Sequence, residues 1–149
     1  MKKQILILVM TLLSAATFAQ TAKYKEAKGK DDKVAIKGYD LVAYFTESKA
    51  VIGKKSIASI KGDKTYYFSS EKNKALFLKN PTAYEPQYGG YCAYGISENH
   101  KAPIQPEQFS IVDNKLYLNY NSEVKGMWLK DQKKLIKTAD ANWMKIEKK

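Results

Sequence analysis

Apolar and polar positions along this chain fall into short blocks with different periods. Residues 5–13 are an almost unbroken apolar run, and residues 21–33 are polar and Lys-rich. Val34-Ala35-Ile36 has the character of a short strand. Gly38-Tyr39-Asp40 then turns the chain into residues 41–45, apolar without a clear period. Residues 56–60 and 65–68 read as strands around Lys61-Gly62-Asp63-Lys64, a hairpin. Ser69 or Ser70 caps a following helix with Glu71 in its first turn. Asn80-Pro81 ends it, because the residue before a proline is pushed out of the helical region. Pro81 opens a single turn through Tyr84.

Residues 84–95 hold four Tyr, three Gly, Pro86 and Cys92, and read as an irregular, packed loop. Residues 97–108 are polar, contain Pro103 and Pro106, and also read as loop. A second hairpin follows over 109–112 and 116–120, turning at Asp113-Asn114, with Leu116, Leu118 and Tyr120 on one face. Asn121 or Ser122 caps a helix to about residue 135, with Val124, Trp128 and Leu135 on one stripe. Gly126 weakens that helix by ~1 kcal/mol relative to Ala. Thr138 caps a last short helix carrying Trp143 and Ile146. No internal repeat is evident. Hairpin, helix, loop, hairpin, helices is the order of an α+β fold, two short β-hairpins packed with short helices and a C-terminal helical extension.

Lys2 and Lys3, the apolar run and the small residues ending at Thr17 and Ala19 make residues 1–19 a cleavable secretory leader. The run is too short to span a bilayer, which takes ~20 apolar residues. Residues 20–33 form a flexible lead-in and 34–146 the domain, placed in the periplasm or outside the cell with no membrane anchor in the mature chain. The chain has 149 residues, the size of one domain, and a formal net charge of +11. All 26 basic residues are Lys. Without the planar fork of Arg, which reads guanine and clamps phosphate, a scattered Lys surface argues against specific nucleic-acid binding.

Composition also narrows the chemistry. One Cys and one His exclude an internal disulfide and an all-Cys/His structural zinc site within one chain. Cys92 has three readings: a buried small hydrophobe, a thiolate ligand for a soft metal such as copper, or a reactive thiol. His100, eight residues on, is an exposed loop residue or a second ligand to a transition metal. Tyr84, Tyr88, Tyr91 and Tyr94 either pack the core and its rim or line a pocket that backbone approaches at Gly89-Gly90. Asp40 lies among Tyr39, Leu41 and Tyr44, and reads as a helix cap or as a partner to a ligand-holding residue. Gly89-Gly90 lacks the spacing of a phosphate loop.

Residues 38–45, Tyr66-Tyr67-Phe68-Ser69-Ser70-Glu71, Phe77 and Asn80-Pro81 through Tyr84 resemble the YHS domain family. Residues 87–95, 116–120 and 139–143 resemble its exported, stand-alone bacterial branch. The resemblance implies a small α+β unit in which a hairpin packs on a short helix. Relatives fused to copper and heavy-metal transport proteins carry cysteines regarded as metal ligands. These would align with Ala43, Ser69 and Asn73, none of which is Cys here. The expectation is therefore a non-enzymatic exported binding module. Its ligand would sit between residues 39–45 and 88–94, touching Tyr39, Asp40, Tyr44, Tyr88, Gly89, Gly90, Tyr91 and Tyr94. That ligand is a copper-like ion on Cys92 and His100, or a small organic molecule. The alternatives are a periplasmic thiol-redox or other enzyme using Cys92, and a purely structural or interaction domain.

Overall fold

The computed structural model describes residues 33–148, so the expected leader and all but the last residue of the lead-in lie outside the described residues. The chain forms α1 (Ala43–Thr46), the hairpin β1 (Lys54–Lys61) and β2 (Lys64–Phe68), and α2 (Glu71–Lys79). It continues with α3 (Ala93–Ser97), the hairpin β3 (Gln105–Val112) and β4 (Lys115–Asn119), α4 (Ser122–Lys130) and α5 (Gln132–Ile146). This is the α+β architecture expected, two antiparallel hairpins among five helices.

Local chemistry sets the boundaries. Ser70 caps α2, its hydroxyl accepting from the Asn73 N–H at 3.1 Å, and Glu71 favours the positive end of the first turn. Asn121 caps α4 in the same way, accepting from the Val124 N–H at 2.8 Å. Pro81–Ala83 is the single turn expected after α2.

The element order repeats. Residues 34–79 and 86–130 each run as a tight turn, a short helix, a hairpin and a capped nine-residue helix. Ile36, Lys37 and Gly38 have φ of 44°, 54° and 85°, and Tyr88, Gly89 and Gly90 have 56°, 61° and 84°. Both triplets are thus left-handed turns. The hairpins share one register: Ala58↔Tyr67, Ser59↔Tyr66, Ile60↔Thr65 and Lys61↔Lys64 match Phe109↔Leu118, Ser110↔Tyr117, Ile111↔Leu116 and Val112↔Lys115. Both break at the same place, after Lys54↔Phe68 and after Gln105↔Asn119. The Asp40 N–H bonds to Val51 O at 2.8 Å, and its counterpart, the Cys92 N–H, to Ala102 O at 3.0 Å. Residues 34–130 therefore hold a structural duplication, contrary to the reading that the chain holds no repeat. Ser59/Ser110, Ile60/Ile111, Lys64/Lys115, Tyr66/Tyr117, Lys74/Lys125, Leu78/Leu129 and Lys79/Lys130 are identical pairs, but most positions around them differ.

Three more expectations change. Only Val34 of the first strand-like run pairs, with Thr65, and Ala35–Gly38 is the left-handed turn. The expected loop over 84–95 contains Gln87–Gly90 and the start of α3, and β3 begins at Gln105 inside the expected loop over 97–108. The long helix divides at Asp131, whose non-helical φ of −146° and ψ of 56° separate α4 from α5. Thr138 is interior to α5, its hydroxyl donating to Lys134 O at 3.1 Å, rather than a cap.

The core lies where the halves meet. Leu41, Val42, Tyr44, Phe68 and Phe77 from the first half pack with Cys92, Ile104, Leu116 and Leu118 from the second. A second cluster joins Tyr88, Ala93, Ile96, Tyr117 and Trp128 to Ala139 of α5. Phe77 and Trp128, equivalent residues of α2 and α4, are each fully buried. Such side chains contribute about 1.5–3 kcal/mol each by removal from water.

Candidate functional site

The two left-handed turns face each other. A Cβ at Gly90 would lie 2.8 Å from Ile36 Cδ1 and would make that side chain end shift, and φ of 84° at Gly90 disfavours any other residue. Left-handed backbone is cheap for glycine and costs other residues roughly 1–2 kcal/mol. Ile36 is β-branched, and at φ 44°, ψ 45° it holds a conformation such residues rarely adopt. Strain of this kind collects at functional positions.

Beside this contact is a cleft of about 410 Å³. Its apolar wall is Val34, Ala35, Ile36, Leu41 and Pro86, and Gly89 opens one side. Its polar groups are Lys64, Tyr66 and Glu85. One oxygen of Glu85 accepts from Lys61 Nζ at 2.6 Å and from the Tyr66 hydroxyl at 3.2 Å. Burial, followed by the nearby Glu85 charge, pushes the Tyr66 phenol up to about 12. Lys64 forms no ion pair among the described residues.

The segments expected to flank a ligand do meet here, with Leu41 on one side and Gly89 on the other. The other expected site residues sit elsewhere. Tyr39 donates its hydroxyl to Glu107, and Tyr44 is fully buried with its hydroxyl on Pro106 O at 3.0 Å. Both tie the first half to β3. Tyr88 is buried and donates to Asp140 of α5 at 2.8 Å. Gly90 is the point of turn contact, and the Tyr94 N–H donates to Asn119. Tyr91 is partly exposed beside Trp143, with Lys101 Nζ 5.3 Å above its ring centroid.

Asp40 is a structural hub. One oxygen accepts the N–H groups of Val42 and Ala43 at 2.9 and 3.3 Å, capping α1. The other accepts Ser69 N–H, Ser69 Oγ and Asn73 Nδ2 at 2.8, 2.7 and 2.8 Å. Ala43, Ser69 and Asn73, where the family resemblance would align thiols, therefore all converge on this one carboxylate.

Cys92 occupies the equivalent place in the second half. It is 1% exposed, its sulfur accepting from the Gly95 N–H at 3.4 Å and donating to Asn119 Oδ1 at 3.8 Å. Asn119 is fully buried, with its Nδ2 unpartnered. His100 is exposed, its Nδ1 within 3.3 Å of Glu98 O. Among the described residues no three His, Cys, Asp or Glu side chains gather around one point that an ion could fill.

Sequence reading missed most of the cleft, including Val34, Ile36, Lys64, Tyr66 and Glu85. The available signal was the repeated pair Gly38-Tyr39 and Gly90-Tyr91, which marks the two turns. Among the described residues no helix is long and apolar enough to cross a membrane. No family model, no curated protein and no solved structure matches the chain.

Proposed function

We propose that the chain is an exported, non-catalytic binding module of YHS type whose ligand is a small organic molecule held in the cleft between the two left-handed turns. The observation that carries this reading is the cleft itself. It is of ligand size, joins an aliphatic wall to a few convergent polar groups and is built against a strained Ile36. Export rests on the leader-like order of residues 1–19, and the family assignment on the motifs quoted above. A copper-like ion on Cys92 and His100 has less support. The thiol already caps α3 and is 1% exposed, closed to an ion from solution. The same burial speaks against Cys92 as a redox nucleophile.

The test uses N-phenyl-1-naphthylamine, a neutral probe that fluoresces in apolar surroundings. It should bind saturably at one site, and Val34→Trp, which fills the cleft, should abolish the signal while far-ultraviolet dichroism and the cooperativity of urea unfolding stay native. Probe binding indifferent to Val34→Trp, or no saturable binding of either this probe or dodecanoate, overturns the reading. Mass spectrometry of the exported protein should find an N-terminus near Gln20, and intact Met1 in that pool would overturn export.

A further inference from the structure

The duplication allows one half to inform the other. In the second half, the face made by Tyr88, Ala93 and Tyr117 is covered by α5. Ala139 and Trp143 lie against it, and the Asp140 carboxylate accepts the Tyr88 hydroxyl. That face is therefore filled by an apolar ridge bearing one carboxylate. The equivalent residues of the first half, Ile36, Leu41 and Tyr66, line the cleft. Among the described residues no helix covers them as α5 covers their counterparts, since the chain after α2 passes through Pro81–Ala83 and on to Pro86.

The charges at the cleft are asymmetric. The Glu85 oxygen that meets Tyr66 also holds Lys61 Nζ, so this carboxylate is already compensated. Lys64 is exposed at the cleft wall and forms no ion pair among the described residues, although Asp63 precedes it in the turn. A cationic ligand would compete with Lys61 for Glu85 and approach Lys64 unfavourably. A neutral ligand would offer Lys64 at most an uncharged acceptor, and covering a charge that has no counter-charge is costly. An anionic head group avoids both costs.

We infer that the cleft selects an amphipathic carboxylate, its apolar body lying along Val34, Ile36, Leu41 and Pro86 and its carboxylate paired with Lys64. This rests on the cleft being the binding site, and the test separates the two. Dodecanoate, dodecanol and dodecyltrimethylammonium, all below their aggregation limits, are compared by calorimetry and by displacement of the naphthylamine probe. Dodecanoate should bind about tenfold tighter than dodecanol, as expected of a charge-assisted hydrogen bond. That ratio should fall close to one in Lys64→Gln and persist in Lys64→Arg.

Equal binding of dodecanoate and dodecanol, a preference for the cation, or an undiminished ratio in Lys64→Gln overturns the ligand class. In each case the neutral probe can still report the cleft through Val34→Trp. Should the probe fail to bind, calorimetry with dodecanoate decides the class directly. Tight binding that responds to Lys64→Gln supports it, and absence of heat overturns both readings.

Discussion

The two halves share one backbone plan and have opposite polar economies. In the first half the residue after the left-handed turn is Asp40, and five hydrogen bonds from Val42, Ala43, Ser69 and Asn73 satisfy its carboxylate. In the second it is Cys92, whose weakly polar sulfur needs little, and the nearby Asn119 is left with an unpartnered amide nitrogen. The outer faces differ in the same spirit. The second half spends α5 on covering Tyr88, Ala93 and Tyr117, whereas the first leaves the corresponding surface as a cleft. A duplicated unit needs a hub after its turn and something on its outer face, but neither has to be the same chemical group.

The covering helix should dominate stability. Ending the chain after Asp131 removes Leu135, Ile136, Ala139 and Trp143 from the second cluster and frees the Tyr88 hydroxyl. Ala139 is buried and the other three are partly buried, so at somewhat below the ~1.5–3 kcal/mol of a fully buried large side chain the loss is roughly 3–5 kcal/mol. Urea unfolding and near-ultraviolet dichroism should then show a molten or unfolded chain. A cooperative, native-like truncated protein would break the comparison, because the outer face of the second half would then need covering no more than that of the first.

The hubs come next. Asp40→Ala strands several buried donors and uncaps α1, for a loss of about 3–5 kcal/mol at roughly 1–3 kcal/mol per unsatisfied group. Cys92→Ala removes one sulfur from a sealed site and should cost about 1–2 kcal/mol. Denaturant midpoints of the two variants measure the gap. Equal losses would mean that the sulfur is as much a hub as the carboxylate.

Both halves should share an alkaline limit. Desolvation raises the phenols of Tyr44 and Tyr117, and that of Tyr88 together with its bond to Asp140, while Tyr66 is pushed up to about 12. Below the ordinary phenol value near 10 both folded and unfolded chains keep these protons, so stability is unaffected. Above it the unfolded chain releases them first and stability falls as pH rises. Absorbance at 295 nm should show part of the tyrosines ionising only as the chain unfolds. Smooth titration of all of them near pH 10 without unfolding would overturn this.

Much of this fold could be read from local chemistry. Ser70, Asn121, Pro81 and the two hairpin turns acted where short-range rules place them, since capping and turn formation involve neighbours in sequence. The duplication could not be read that way. Its signature is a shared register and shared dihedral angles, while the residues filling the shared positions changed type, as Asp40 and Cys92 or Phe68 and Asn119 illustrate. The short α3 was hidden because Gly89, Gly90 and Gly95 suggest irregular chain. There the sulfur of Cys92 caps a helix, a role usually given to an oxygen. The cleft escaped because its walls come from residues far apart in sequence, and Lys64 and Glu85 look like ordinary surface charges until the fold brings them to one opening.

The smallest effect compares two equivalent helix ends. Glu47-Ser48 follows α1 and Glu98-Asn99 follows α3, and Ser48 and Asn99 both take the left-handed conformation, at φ 52° and 62°. This is the usual way to leave a helix, and glycine or asparagine bears it best, because the short Asn side chain can satisfy local backbone groups. The second half has the better residue. Ser48→Asn should therefore stabilise the protein by about 0.5 kcal/mol, a rise of roughly 2 °C in Tm for a domain of this size. Asn99→Ser should cost a similar amount. Both positions are exposed, so packing does not obscure the result. If the two exchanges shift Tm in the same direction, or if Ser48→Asn lowers it, the two helix ends are not interchangeable and the equivalence of the halves stops short of this turn.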